Sequence, residues 1–178
     1  MCGPADCTQA QATHAERIGR RLAAAGAVVV CGGGAGVMAA VARGAHEAGG
    51  VVVGVGPGHD RRDASENLTV SLATNLGQAR NAVIVWSADA VVAVGGSWGT
   101  LSEIALARRR GVPVVVLDGW QVRDAAGAPL GGFLDAATAD EAAALALRAA
   151  AAFAAEQAAE QAGEQAGEQA GGDGLSEG

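Results

Sequence analysis

The stretch that decides the fold is residues 90–103, Ala-Val-Val-Ala-Val-Gly-Gly-Ser-Trp-Gly-Thr-Leu-Ser-Glu. It opens with a continuous apolar run, Ala90 to Val94, typical of a strand that is buried on both faces. It closes on a helical pattern that begins at Leu101. Glycines turn the chain tightly between the two. A helix that starts at such a turn presents free amide groups, and these bind anions, above all phosphates.

The same arrangement occurs earlier in the chain. Val28 to Cys31 reads as a short buried strand, Gly32 to Gly36 as a glycine-rich turn, and Val37 to Ala48 as a helix. Two such turns in one small domain predict one nucleotide-like ligand at the carboxyl ends of adjacent strands. For the first turn, tight packing without a ligand is the alternative interpretation, and for the second turn the alternative is a capping box formed by Thr100 and Glu103. The candidate ligand-binding residues are Gly32, Gly33, Gly34, Gly36, Met38, Gly95, Gly96, Ser97, Gly99 and Thr100.

Apolar strands alternate with helical patterns along most of the chain, which predicts an α/β fold: a mostly parallel sheet with helices on both faces. Strands are predicted at residues 28–31, 51–55, 68–72, 90–94 and 113–117, and helices at 8–25, 37–48, 78–86, 101–110 and from the capping box at Thr138 onward. The domain is expected to span residues 1–150. Residues 151–178 repeat Glu-Gln-Ala-Gly, and this acidic tail is predicted to be frayed or disordered.

The beginning of the chain is unusual for such a fold. Only Met1 to Cys7 precede the first helix, and Cys2-Gly3-Pro4 resembles the end of a strand whose body is absent. The first strand is therefore expected to be missing from this sequence. Two explanations stay open: the natural protein starts upstream, or the sheet is incomplete.

Composition excludes several classes of function. All 12 basic residues are Arg, so the chain has neither a Walker A lysine nor a lysine that could hold pyridoxal phosphate. The three cysteines have no metal-site spacing, and no metal is expected. A net charge of −7 argues against a nucleic-acid partner. No apolar run is long enough for a membrane span and no signal peptide is visible, so a cytoplasmic location is expected.

Two charged residues stand out as candidates for chemistry. Arg80 begins a mostly apolar helix, where its charge opposes the helix dipole, so it needs an anionic partner. That partner is either a carboxylate of the protein or a ligand phosphate. Glu103 follows Thr100 at capping-box spacing, so it either caps its own helix or faces a ligand.

These motifs together resemble the LOG superfamily, some of whose members carry an older label of lysine decarboxylase. The resemblance rests on Gly32 to Met38, Ala42-Arg43-Gly44-Ala45, Arg80-Asn81, Ser87-Ala88-Asp89-Ala90 and Gly95 to Glu103. It implies a Rossmann-like three-layer domain, usually a homodimer or higher oligomer. LOG enzymes hydrolyse the N-glycosidic bond of nucleoside 5′-monophosphates. By position, Arg80 and Glu103 match their catalytic Arg and Glu, and Gly96, Gly99 and Thr100 match their phosphate loop.

The chain departs from the LOG pattern at two positions. Val94 stands where LOG enzymes have Pro, and Asn81 stands where they have Lys. In this it is more similar to a sister branch that includes molybdenum cofactor carrier proteins. The leading expectation is a phosphoribohydrolase of nucleoside monophosphates. The alternative is a non-catalytic carrier of molybdenum cofactor or another phosphate-bearing small molecule.

Overall fold

The computed structural model describes residues 1–172. Its strands form two parallel halves, ordered β1-β2-β3 and β4-β5-β6. Each ladder in both halves is parallel, which confirms the predicted α/β architecture. The strands are β1 (Val29–Cys31), β2 (Val52–Gly56), β3 (Val70–Ala73), β4 (Val91–Val94), β5 (Val114–Leu117) and β6 (Leu134–Asp135).

Five α-helices cover the sheet, with a short 3-10 turn at Gly77–Ala79. The helices are α1 (Gln9–Ala24), α2 (Val37–Glu47), α3 (Arg80–Trp86), α4 (Trp98–Arg110) and α5 (Ala139–Gly172). Alternate residues of the strands separate into two apolar clusters. Val29 and Val94 pack with α1, α2 and α5, whereas Val91 and Val114 pack with α3 and α4. The result is a three-layer domain with helices on both faces of the sheet.

Met1 and Cys2 lie between the two halves of the sheet. The ammonium of Met1 donates to the carbonyl of Val30 (2.8 Å), on β1. The amide of Cys2 donates to the carbonyl of Val92 (2.9 Å), and the amide of Val94 donates to the carbonyl of Cys2 (3.1 Å), both on β4. These two residues therefore bridge β1 and β4 through backbone hydrogen bonds.

Helices α1 and α2 cross at very short range, and this contact fixes the position of the first glycine-rich turn. A Cβ atom on Gly44 would lie 1.9 Å from the backbone oxygen of Glu16, and one on Gly19 would lie 2.3 Å from that of Val41. Arg43 and Glu16 form an ion pair across the same crossing. Only glycine permits such an approach of two helix backbones.

The last helix differs from its predicted extent. α5 begins after Thr138, whose side chain accepts from the amide of Glu141 (3.2 Å), as predicted, whereas the Glu141 carboxylate accepts from the amide of Ala137 (2.9 Å). It continues to Gly172, through part of the segment that was expected to be frayed or disordered. Ala, Glu and Gln are strong helix formers, and here they outweigh the repeated glycines. Residues 173–178 of the predicted tail lie outside the described residues.

Within residues 1–172, no helix is both long enough and apolar enough to cross a lipid bilayer.

Candidate anion-binding site

A small cleft of about 140 Å³ opens at the carboxyl edge of the sheet, between the first turns of α3 and α4. Arg80 and Asn81 of α3 line it, and so do Ser97, Gly99, Thr100 and Glu103 of the second turn and α4. Cys2, Gly3, Ala5, Met38 and Gln78 complete its wall. The cleft has room for a phosphate-sized group.

Arg80 is the cation of this cleft. Its side chain is only 13% exposed, and its Nη1 lies 3.7 Å from Oε1 of Glu103. Nη1 also donates to Oδ1 of Asn81. Its Nε is buried and has no hydrogen-bond acceptor within residues 1–172. A buried donor on a charged group without an acceptor costs free energy, and an anionic ligand or a water molecule would relieve that cost.

Glu103 lies in the second turn of α4 and is 6% exposed. Burial raises the pKa of its carboxyl group to about 7, against the opposing effect of the positive charges of the Met1 ammonium and Arg80. The thiol of Cys2 is buried beside it, and burial also raises the pKa of that thiol. At neutral pH the Glu103 carboxyl is therefore divided between its charged and protonated forms.

The N-terminus of α4 is capped by Ser97, not by Thr100. Oγ of Ser97 accepts from the amide of Thr100 (3.1 Å), and the two hydroxyl groups lie 2.9 Å apart. The helix begins at Trp98, earlier than the predicted Leu101, so Glu103 is too far along it to close a capping box. That alternative for Thr100 and Glu103 is wrong.

The early start of α4 leaves free donors at the cleft. The first amides of an α-helix have no intrahelical acceptor, and Gly99, in the first turn of α4, lines the cleft. The helix dipole adds a partial positive charge at the same end.

Asn81 shapes the cleft in a way that the sequence interpretation missed. It is 3% exposed, and its Nδ2 donates to Oγ of Ser102 (2.8 Å). Oγ of Ser102 in turn donates to the carbonyl of Gly99 (2.7 Å). This chain of bonds ties the start of α3 to the start of α4. The sequence signal that could have shown this role is a polar amide among the apolar residues of α3, directly after Arg80.

Part of the first glycine-rich turn reaches the cleft. A Cβ atom on Gly32 would lie 2.7 Å from Nη2 of Arg80 and 2.6 Å from Sδ of Met38. Gly32 thus leaves space for the guanidinium, and Met38 lines the cleft. Gly34 lies close to Met38 alone.

Other predicted glycines have a packing reason. Gly33 (φ +74°) packs against the backbone of Gly54, and Gly36 (φ +63°) packs against the carbonyl oxygens of Pro4 and Ala5. For these two positions, the packing alternative accounts for the glycine without a ligand.

In the second turn, too, some residues line the cleft and others serve packing. Gly95 (φ +68°) packs against the side chain of Gln11, and Gly96 lies beneath the indole of Trp120. Trp120 meets Trp98 edge to face, with ring centroids 5.2 Å apart, and Trp98 is 78% exposed. Ser97, Gly99 and Thr100 line the cleft, but Gly95 and Gly96 do not.

The comparisons with known proteins agree with this architecture. The model of the SLOG cluster4 family matches residues 1–148, which cover both turns and the cleft. The chain belongs to the SLOG cluster4 family. The SLOG superfamily includes LOG, so the resemblance holds at that level, whereas membership of the LOG enzymes themselves is not confirmed.

Three relatives of this SLOG protein are informative. A protein of Archaeoglobus fulgidus is 39% identical over 129 residues, 68% of this chain and 84% of that protein. The molybdenum cofactor binding protein of Rippkaea orientalis is 30% identical with a TM-score of 0.72, over 80% of this chain and 90% of that one. The Moco carrier protein of Chlamydomonas reinhardtii is 33% identical with a TM-score of 0.73, over 84% of this chain and 94% of that one.

The chemistry open to the SLOG site follows from its donors. One buried guanidinium and the first turn of α4 line one small cleft, and this combination suits an anion. The carboxyl group of Glu103 can exchange a proton near neutral pH. Residues 1–172 contain no group of three or more His, Cys, Asp or Glu side chains placed to hold a metal ion.

Proposed function

We propose that this SLOG protein is a carrier that binds molybdenum cofactor, or a related phosphate-bearing ligand, without converting it. The observation that carries the proposal is Arg80, a buried guanidinium whose Nε lacks a protein acceptor in residues 1–172, beside the free amides of α4. A ligand phosphate in the cleft would accept from both.

The structural neighbours support a carrier more than an enzyme. Proteins that are about one-third identical over most of their length are described as binding or carrying molybdenum cofactor. The cleft of about 140 Å³ suits the phosphate of such a ligand, and the rest of the ligand would lie on the open surface beyond it. The molybdenum is cargo in this proposal, held through the organic part of the cofactor.

A hydrolase of nucleoside monophosphates is the second candidate. The observation in its favour is Glu103, whose raised pKa of about 7 suits a group that gives or takes a proton at neutral pH. In N-glycosidic cleavage its carboxylate would stabilise the oxocarbenium-like transition state or activate water, while Arg80 held the phosphate. The positions of Arg80 and Glu103 also match the LOG catalytic pair by resemblance.

We further propose that the carrier is a cytoplasmic homodimer or higher homo-oligomer, with no nucleic-acid or membrane partner. The acidic composition and the resemblance to the SLOG superfamily support this.

Identification of the bound ligand tests the proposal. The protein is purified without added ligand and denatured, and the small molecules that it releases are identified by mass spectrometry. We expect a phosphorylated pterin from the wild type and at least about tenfold less from Arg80→Ala, because a hydrogen bond to a charged group contributes about 1.5–3 kcal/mol. Arg109→Ala, an exposed arginine of α4, is the matched control and should retain the ligand.

An assay for base release separates the two candidates. Wild-type protein is incubated with each common nucleoside 5′-monophosphate, and the free base is measured by chromatography. A carrier releases none. Release that is lost in Glu103→Gln but kept in Glu66→Gln, an exposed glutamate outside the cleft, would establish the hydrolase instead.

A further inference from the structure

A second opening, of about 460 Å³, lies at the carboxyl ends of β5 and β6. Asp118, the residue after β5, and Trp120 line it. Arg123 and Asp135 line it as well, and they bring one charge of each sign. We call this opening the Asp118 pocket. It shares no lining residue with the anion-binding cleft, so it is a separate place for part of a ligand.

Asp118 has a backbone conformation that residues with a side chain rarely adopt. Its φ is +54°, in the left-handed region that favours glycine. Asp and Asn enter this region more readily than other residues, because their short polar side chains can form local hydrogen bonds. Backbone strain of this kind clusters at ligand sites. The fold therefore holds Asp118 in its place at a cost in stability.

The carboxylate of Asp118 is held through one oxygen and free at the other. Nδ1 of His14, on α1, lies 3.0 Å from Oδ2 of Asp118. Because a charged carboxylate only accepts hydrogen bonds, His14 is the donor. Within residues 1–172, Oδ1 of Asp118 accepts from no other group, and the side chain is 51% exposed. Asp118 therefore presents free acceptor sites at the pocket.

Asp118 and the second glycine-rich turn lie side by side. Val94 of β4 pairs with Leu117 of β5, and the amide of Gly95 donates to the carbonyl of Leu117 (2.9 Å). Gly95 and Asp118 are the next residues along, so they leave the sheet one strand apart, a separation of about 4.8 Å. The turn then runs from Gly95 into the start of α4, which lines the cleft. One ligand of the size of a nucleotide can therefore span the cleft and the Asp118 pocket.

Trp120 supplies a flat apolar surface beside this turn. Its indole lies against Gly96, where a Cβ atom would lie 2.3 Å from the ring. The residue is 46% exposed, and it lines the Asp118 pocket. Exposed indoles stack well on aromatic rings.

The two openings have opposite chemistry. The cleft offers a guanidinium, whereas the Asp118 pocket offers a free carboxylate oxygen and an indole. A ligand that fills both has a phosphate at one end and a flat ring with N–H groups at the other. A carboxylate matches two adjacent N–H donors, and the 2-amino-4-oxopyrimidine ring that pterins and guanine share has such a pair.

We propose that the Asp118 pocket binds the ring of the ligand whose phosphate lies in the cleft. Asp118 accepts from the ring N–H and the amino group of a 2-amino-4-oxopyrimidine, and Trp120 packs against the ring. The inference rests on the proposed function, since it takes the phosphate as the anchor. It makes Asp118 the residue that sets specificity for the ring.

Calorimetric titrations with four probes test the inference. Neopterin monophosphate and guanosine monophosphate carry the shared ring. Inosine monophosphate lacks the amino group, and xanthosine monophosphate has an oxygen in its place. Asp118→Asn is the informative variant, because Asn also tolerates positive φ and its amide can donate to that oxygen. Asp89→Asn, an exposed position at the amino end of β4, is the matched control.

We expect the wild type to bind guanosine monophosphate at least about tenfold more tightly than inosine monophosphate, because a hydrogen bond to a charged group is lost. Asp118→Asn should weaken binding of neopterin and guanosine monophosphates by at least about tenfold and should strengthen binding of xanthosine monophosphate. The control should keep the wild-type order. The tighter of neopterin and guanosine monophosphates identifies a pterin or a nucleotide as the source of the ring.

Two results would overturn the inference, and they differ in what they leave standing. If Asp118→Asn binds neopterin and guanosine monophosphates as tightly as the wild type does, the pocket does not recognise the ring, but the phosphate site stands. If the wild type binds none of the four probes, the proposed function fails as well.

Discussion

Arg80 and Glu103 face each other across 3.7 Å, and both are too deeply buried for water to screen their charges well. The pair gives the cleft two charge states, set by whether Glu103 is protonated. When Glu103 is charged it neutralises Arg80, and when Glu103 is protonated the full positive charge of Arg80 is available to an anion. The raised pKa of Glu103 puts this change near neutral pH.

The same pKa has a consequence for stability. The folded protein holds the Glu103 proton up to about pH 7, whereas the unfolded chain releases it near the ordinary value of 4.5. Because the folded state binds the proton more tightly, the free energy of unfolding falls as the pH rises from about 4.5 to 7. Glu103→Gln removes this fall. The variant should gain up to about 3 kcal/mol relative to wild type between pH 4.5 and pH 8.

Denaturant unfolding across this pH range measures the effect. Glu66→Gln, at an exposed position, serves as the control and should follow the wild-type curve. Parallel curves for wild type and Glu103→Gln would contradict a raised pKa at Glu103.

Thr100 is a second residue whose role can be tested. Its hydroxyl is almost fully buried and lies 2.9 Å from Oγ of Ser97 at the start of α4. If it also bonds to the phosphate, Thr100→Ala should weaken binding of a phosphorylated ligand by about 1 kcal/mol, roughly fivefold. Calorimetry provides the measurement, with Thr13→Ala on the outer face of α1 as the control. Equal affinity in the two variants would limit the Thr100 hydroxyl to supporting the helix cap.

Among the elements, the crossing of α1 and α2 depends on the absence of side chains at Gly44 and Gly19. At Gly44 a Cβ atom would come within 1.9 Å of a backbone oxygen, an approach that only a shift of one helix could relieve. Helix α2 follows directly from the first glycine-rich turn. A shift of that helix would therefore also displace Gly32 and Met38 at the cleft.

We predict that Gly44→Ala lowers the free energy of unfolding by about 1–3 kcal/mol, the usual cost of overpacking a tight interface. The matched control is Gly163→Ala, because Gly163 also lies in a helix but has open space around its Cα. Without a clash, this change should be neutral or should stabilise by up to about 1 kcal/mol. Urea unfolding of both variants distinguishes steric strain from helix propensity. Equal changes in the two would argue against a close crossing.

The elements that the sequence predicted well are those with a strong apolar pattern. β4 and β5 differ from their predicted bounds by one residue, because Val runs bounded by turns leave little choice. β6 was not predicted, since it has two residues and both are exposed. The start of α4 was predicted too late because Ser97 was assigned to the turn, although it is the helix cap.

The candidate site was predicted in part, for a related reason. A glycine in the sequence signals a need for space or for positive φ, but not which neighbour requires it. At Gly32 the neighbour is Arg80, whereas at Gly33, Gly36, Gly95 and Gly96 it is another part of the fold. Asn81 was missed as a contributor because its partners come from the far side of the cleft.

At the scale of the whole molecule, the outer surface of α3 and α4 carries large apolar side chains. Trp98 is 78% exposed, Trp86 is 53% exposed, and Val83 lies one helical turn from Trp86. The two helices pack against each other beside the cleft. A second copy of the chain that covered these side chains would remove apolar area from water, as we expect for a homodimer or higher homo-oligomer.

We predict that light scattering will give at least twice the chain mass of 17.3 kDa at micromolar concentration. Val83→Glu should shift the population toward monomer, because it places a charge in the apolar surface. Arg123→Glu, a charge change on an exposed loop, should leave the mass unchanged. A monomer in the wild type would contradict the predicted homo-oligomer.

The contact of Trp98 with Trp120 also gives the molecule an optical reporter. The chain has three tryptophans and no tyrosine, so its near-ultraviolet emission comes almost wholly from indole. Two of the three rings touch, and one of them, Trp98, opens α4, whose first turn lines the cleft through Gly99 and Thr100. A ligand that enters the cleft should change their emission, so titrations can be followed by intrinsic fluorescence without a label.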